Sequence, residues 1–372
     1  MVRTSLLVPT LTLAACIGGG GNGKNKVSTD NGITTTQFTT TSGSDGVASI
    51  EVEVDGSVDV FHVYAVSEEY VSVEGVYDPS GNLVLDWQDW DGNNSLTSAV
   101  FLEGTDTILN WPVREADGPL AAGTWTVDVA TVNSDYYYTS ADVDVTVQTR
   151  EEDDEFLTAT VDVEIVFAGT VGEDDAVVSA TESAVSRWEE VWGEYGLSLK
   201  ASYRYATELD EKLNDLDSGG SSTIKSESAE GTDNDIMVLI GESIGNYTDV
   251  YGIAGGIPGT PVAGRRSTVV ISWLANAGGD GQFSEDDIRL YGETLAHEVG
   301  HYTGLFHPVE DGWSYYDALA DTSECSSTSR CEEDLGDNLM FPYPICSFTS
   351  CTPQDQISAA QQGVMHRYIG AY

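Results

Sequence analysis

The spacing of apolar residues changes once along this chain, and the change sets a different fold class on each side of it. Between residues 47 and 149, runs such as "SIEVEV", "VDVFHVYAV", "YVSVEGVYD", "GTWTVDVATV" and "ADVDVTVQT" alternate apolar with polar positions. Turn sequences such as "DPSGN" and "DGNN" separate them. Alternation sends successive side chains to opposite faces, so these runs predict an all-β domain, an antiparallel sandwich. The charged stretch "REEDDE", residues 150–155, reads as an acidic linker, and beyond it the period lengthens. "TATVDVEIVF" is still a strand, but residues 173–196 space their apolar positions as a helix does, with acids in the first turn and Gly196 at the end. Strands are predicted at "LSLKASYRYA", "NDIMVLIGES" and "STVVISWLA". A second helix is predicted from about Glu285, because Ser284 with Asp287 three positions on makes a capping box. Residues 156–372 therefore read as an α+β domain with two long helices.

Ahead of both domains stands "MVRTSLLVPTLTLAAC", with a cation at Arg3, an apolar stretch and small residues before Cys16. That pattern is an export signal, too short to span a bilayer. "LAAC" resembles the bacterial lipoprotein cleavage box. The resemblance implies that residues 1–16 are removed up to Cys16, which becomes the lipidated first residue. Residues 17–46, rich in Gly, Ser, Thr and Asn, read as a flexible tether. The expectation is an exported protein held at the cell envelope or surface through the lipid alone, or released from it. Ile17 offers no inner-membrane retention signal, which favours the outer membrane. In such a compartment Cys325, Cys331, Cys346 and Cys351 read as two disulfides, with three pairings open. A four-cysteine zinc site would need tighter pairs than these spacings give.

Charge narrows the partners. The 62 acids against 15 Lys and Arg leave −47, distributed along the chain. Such a surface repels phosphate backbones and anionic lipid, which excludes nucleic acid and suits salty surroundings. Calcium is a further expectation; Asp89, Asp91 and Asn93 in "DWQDWDGNN" could offer oxygens to it, although a hairpin turn explains that stretch as well.

"HEVGHYTGLFH", residues 297–307, holds three of the five histidines. On a helix, positions four apart project from one face, so His297 and His301 can reach one ion, with Glu298 beside it as a general base for water. Gly304 suits the left-handed turn that ends a helix and redirects the chain, which lets His307 supply a third nitrogen. Three nitrogens and an open fourth position describe a catalytic rather than a structural zinc site. The chemistry expected is hydrolysis of peptide bonds. His62, in a strand, and His366, in the C-terminal helical pattern, read as structural or exposed.

The motif resembles the metzincin metalloprotease signature at all five defining positions. "GDNLMFPYP" supplies Met340 where metzincins carry a methionine beneath the metal. Within metzincins the chain is similar to the pappalysin-like group: "DALADTSEC", "NLM" and "CSFTSCTPQDQISAAQQGVM" each resemble a stretch of that group, and the likeness covers roughly residues 156–372. Ser323 stands where the group has proline, and Tyr343 lies three residues after Met340 instead of two. The resemblance implies a twisted mixed sheet with two long helices, a small C-terminal subdomain and a zinc endopeptidase acting on extracytoplasmic proteins or peptides. It also implies a strand near "YGIAGGIPGTP" pairing with substrate, Tyr343 as an oxyanion stabiliser, and calcium near Asp311, Asp317, Asp321 and Asp337. "AAGTWTVDVA" resembles the prepeptidase-type jelly-roll modules of secreted proteases. A rival reading makes the chain a surface-anchored binding or adhesion lipoprotein whose protease fold is a scaffold.

Overall fold

The computed structural model describes residues 26–30, 32–90, 92–152, 156–213, 236–247, 249–262, 267–310, 312–347 and 350–372. The expected export signal, Cys16, Asp91 and Asp311 lie outside these residues.

Nine strands precede residue 152 among them: β1 (Lys26–Asp30), β2 (Ile33–Thr41), β3 (Val47–Val54), β4 (Val58–Tyr77), β5 (Leu83–Asp86), β6 (Asn94–Ser95), β7 (Gly104–Trp111), β8 (Gly123–Val132) and β9 (Asp142–Glu151). All but β6 form one eight-stranded sheet in the order β1-β2-β9-β4-β8-β3, with β5 and β7 also on β4. The antiparallel all-β reading agrees with this sheet, whose eight strands hydrogen-bond into one continuous half-barrel and not into two separate sheets. The hinge is β4, read from the sequence as two strands and observed as one of 20 residues. Its first half pairs with β9 and β7 and its second half with β8 and β5, with register shifts between Val66 and Val71 and between Val73 and Gly75. Irregularities of this kind let one strand turn a corner between layers.

Two boundaries differ from the sequence reading. The expected tether ends well before residue 46, because β2 pairs with β9 from Ile33 opposite Arg150 to Thr41 opposite Asp142. The expected linker starts too early, since Arg150 and Glu151 belong to β9 and Arg150 is buried.

The second sheet has the order β11-β10-β12-β14-β13, from β10 (Ala159–Ala168), β11 (Leu197–Ala206), β12 (Ile236–Gly241), β13 (Gly252–Ala254) and β14 (Thr268–Ser272). Every pair is parallel except β13 on β14. The central strands β12 and β14 are buried at every residue, as parallel strands covered on both faces must be. Helix α1 (Asp175–Gly193) is capped by the Asp174 carboxylate, and α2 (Glu285–Tyr302) by the predicted box of Ser284 and Asp287. The two helices pack together through Thr181 and the Tyr291 hydroxyl, 3.0 Å apart, and through Arg187 on Glu293 at 2.9 Å. The C-terminal part adds β15 (Tyr316–Asp317), α3 (Thr328–Leu335) and α4 (Ala359–His366). Of the three possible cysteine pairings, the structure has Cys325–Cys331 and Cys346–Cys351. Among the described residues no helix is long and apolar enough to cross a membrane.

Candidate metal centre

Helix α2 forms because its first turn is capped and acidic, and it ends because Gly304 has φ +113°, in the region where a side chain is strained. The Leu305 N–H donates to Gly300 O at 3.0 Å and closes the terminus, and the chain doubles back to bring His307 over the helix. The ligating atoms of His297, His301 and His307 lie within 4.8 Å of one another. His301 Nε2 is 3.1 Å from His307 Nε2, which is 3.3 Å from His297 Nε2.

The other ring nitrogens settle the tautomers. His297 Nδ1 is 2.7 Å from the Leu339 carbonyl oxygen, and His301 Nδ1 is 2.6 Å from that of Leu305. A carbonyl only accepts, so each Nδ1 carries the hydrogen. His307 Nδ1 donates in the same way to a Glu310 carboxylate oxygen at 2.9 Å. Burial, reinforced by the charge of His307, pushes His297 down to about 3 and His301 well below its ordinary value, so both rings are neutral. In neutral rings with the hydrogen on Nδ1, the three Nε2 lone pairs face one another and repel. A cation relieves that repulsion, and tetrahedral ligands 2.0–2.1 Å from an ion stand about 3.3 Å apart. The donor set fits a divalent metal.

Glu298 is buried beside the triad, and burial alone pushes its carboxyl up to about 8; a divalent cation nearby acts in the opposite direction. It lies beneath β13, where a Cβ on Gly252 would come within 2.4 Å of Glu298 Cγ. Three residues of "YGIAGGIPGTP" thus form an edge strand over the general-base candidate. Met340 is fully buried, and its sulfur would be 2.8 Å from a Cβ on Gly300. Its backbone N–H donates to Asn338 Oδ1 at 2.9 Å, and the preceding carbonyl orients His297. A cavity of about 470 Å³ opens over these groups, lined on one side by Tyr251 to Ala254 and on the other by Phe341 to Pro344.

Not every expected site residue joins this constellation. Tyr343 lines the cavity, but its hydroxyl donates to Glu332 at 3.2 Å. Of the calcium candidates, Asp321 accepts from Ser358 Oγ and Ala360 N and so caps α4. Asp317 is buried and accepts from the Thr322 hydroxyl at 2.5 Å. Trp87–Trp90, in the other proposed calcium stretch, is one helical turn. His62 and His366 are both buried and far from the triad in role; His366 Nε2 meets Tyr195 O at 2.9 Å. Sequence reasoning missed Glu310 and the Leu305 and Leu339 carbonyls. Only Glu310 left a trace, as an acid three residues after His307.

No family model and no curated protein matches the chain. Solved structures that it resembles include archaemetzincin from Methanopyrus kandleri, at 15% identity over 56% of this chain and 87% of that one, with a TM-score of 0.28. A second is metalloproteinase-II from Bacteroides fragilis, at 10% identity over 55% of this chain and 64% of that one, with a TM-score of 0.27. A third is a chaperone–substrate complex, at 14% identity and a TM-score of 0.33, where the match spans 57% of this chain and only 35% of that one. Likenesses this slight carry no inference; the metal centre rests on its own geometry.

Proposed function

We propose that the chain is a zinc-dependent endopeptidase of metzincin type, in the pappalysin-like group, acting on proteins outside the cytoplasm. The observation that carries this reading is the convergence of three Nε2 atoms, each ring held from its Nδ1 side, beside a buried carboxylate under an open cleft. Zinc held by His297, His301 and His307 supplies Lewis acidity and makes water a nucleophile near neutral pH.

The remaining steps belong to the chain. Among the described residues β13 is the outermost strand of its sheet, so its outer edge presents backbone groups with which an extended substrate can pair, which sets the scissile carbonyl over the triad. Glu298 accepts the proton of the attacking water and returns it to the leaving nitrogen. Tyr343 stabilises the tetrahedral oxygen after its hydroxyl leaves Glu332. The same reading takes in an export signal ending at Cys16, lipid anchoring in the outer membrane and structural calcium.

The test compares wild type with Glu298→Ala on unfolded casein, both loaded with zinc. Cleavage by wild type and its loss in the variant support the endopeptidase. Equal cleavage by both, or none by zinc-loaded wild type, supports a scaffold in a binding protein instead.

A further inference from the structure

We infer that the half-barrel is a working part of the metal centre: it fixes the two loops between which the imidazoles and Glu298 are set, with Ser98, Phe101 and Arg114 as positioning residues. The inference rests on the proposed metal site but not on proteolysis.

The first loop follows β13. Ile257, which lines the cleft, has both backbone groups taken up by one half-barrel residue. Its carbonyl accepts from Ser98 N at 2.7 Å, and its N–H donates to Ser98 Oγ at 3.2 Å. Two residues on, Gly259 N donates to Tyr302 O at 2.9 Å, and the Tyr302 hydroxyl donates to Thr260 O at 2.5 Å. Tyr302 directly follows His301, so this loop ties the half-barrel to the end of the metal-binding helix.

The second loop carries His307. Strand β6 of the N-terminal part pairs in parallel with β15 of the C-terminal part. Tyr316 N donates to Asn93 O at 2.8 Å and Ala318 N to Ser95 O at 3.0 Å, while Arg114 Nη1 donates to Ala318 O at 3.2 Å. The same segment pairs back on the chain after His307, with Glu310 N donating to Tyr315 O at 2.9 Å and Val309 bridging Tyr316. Glu310 is the residue whose carboxylate orients His307. The Phe101 ring meets the ring of Phe306, the residue before His307, edge-on with centroids 6.4 Å apart. A continuous path thus runs from β6 through β15 and Glu310 to the third imidazole. Among the described residues neither loop carries a helix of its own to hold it, and outer groups that orient metal-bound histidines govern affinity by about 10- to 100-fold.

The half-barrel is then neither a spacer nor a removable prodomain. The test measures zinc affinity of the full chain by competition with a chromogenic chelator, below the unfolding temperature of each protein. The double variant Phe101→Ala/Arg114→Ala is expected to bind zinc about 10- to 100-fold more weakly while its far-UV spectrum stays native. Phe101→Tyr, which keeps the ring, is expected to match wild type. Ile50→Ala, in the core at β3 and away from both loops, is expected to lower the melting temperature and leave zinc affinity within about twofold.

A folded double variant that binds zinc like wild type overturns the inference, as does an equal loss in Ile50→Ala. Should the double variant not fold, Phe101→Leu carries the same decision: severalfold weaker binding supports positioning, and unchanged binding overturns it. A wild type that binds no zinc overturns this inference and the proposed function together. Zinc binding without proteolysis overturns the proposed function alone.

Discussion

His62 in the half-barrel and His301 at the cleft floor share burial and neutrality: each is under a tenth exposed, and desolvation lowers the basicity of both. What faces the rings differs. His62 has the backbone of Gly259 as its polar neighbour, whereas His301 Nε2 faces a second imidazole 3.1 Å away and a third beyond it. Burial suffices to make a neutral imidazole, and only convergence makes a ligand set. The half-barrel spends buried polar groups on holding elements together, as where Asn110 donates to Arg367 O at 2.7 Å and Arg150 to His366 O at 2.9 Å. The cleft gathers them around one point instead.

The sharpest way to break this contrast is to remove the proposed general base. Glu298→Ala should lower the turnover of casein by up to about 10⁴-fold with zinc affinity nearly intact, because the carboxylate is not a ligand. Activity within tenfold of wild type would place the chemistry elsewhere. Histidine exchange separates the two regions next. His301→Ala should weaken zinc binding more than about 100-fold, beyond the range of outer-shell changes. His62→Leu, a change of similar volume, should weaken zinc binding far less than His301→Ala, by about tenfold at most through its neighbour Gly259, and alter stability by about 1.5 kcal/mol or less. A loss of zinc in the His62 variant would erase the distinction.

Much of this site is written locally. Ser284 and Asp287 fix where α2 begins, Gly304 fixes where it ends, and between them the four-residue spacing puts His297 and His301 on one face. What was illegible depends on partners distant in sequence. "ITTTQFTTT" has too few large apolar residues to read as folded, yet β2 lies in the sheet. Its threonines are β-branched, and Thr39 and Thr41 each donate to an aspartate of β9 at 2.6 Å, so cross-strand bonds hold what burial does not. The polar "SEE" at 67–69 reads as a break between two strands and is the corner of β4. Arg150 reads as linker because nothing nearby in the chain announces that its guanidinium meets His366 O. The pairing of β6 with β15 spans more than 200 residues and leaves no local mark.

Smaller effects sharpen the account. Glu310→Gln keeps a hydrogen-bond acceptor for His307 Nδ1 but removes its charge, and should cost about tenfold in zinc affinity, read by chelator competition. Unchanged affinity would show that the carboxylate does not tune the third ligand. Asp317 reports on the seam between the two regions, since it lies in β15. Burial, aided by the charges of Asp321 and Glu324, raises its carboxyl to about 7 against the ordinary 3.8. The native state therefore holds one proton more than the unfolded chain between those values. Its contribution to stability is whole below about pH 4 and declines as pH rises toward 7, by up to about 4 kcal/mol. Asp317→Asn should flatten that part of the denaturant-midpoint profile; an unaltered slope would assign the pH dependence to other groups.

The central claim is that His297, His301 and His307 bind one zinc ion through Nε2. X-ray absorption at the zinc edge of the purified full chain, with metal content measured on the same sample, tests it most directly. The account predicts one zinc per chain with three imidazole nitrogens at about 2.0–2.1 Å and no sulfur neighbour. Substoichiometric zinc, sulfur ligation, or an unchanged spectrum in His307→Ala would contradict it.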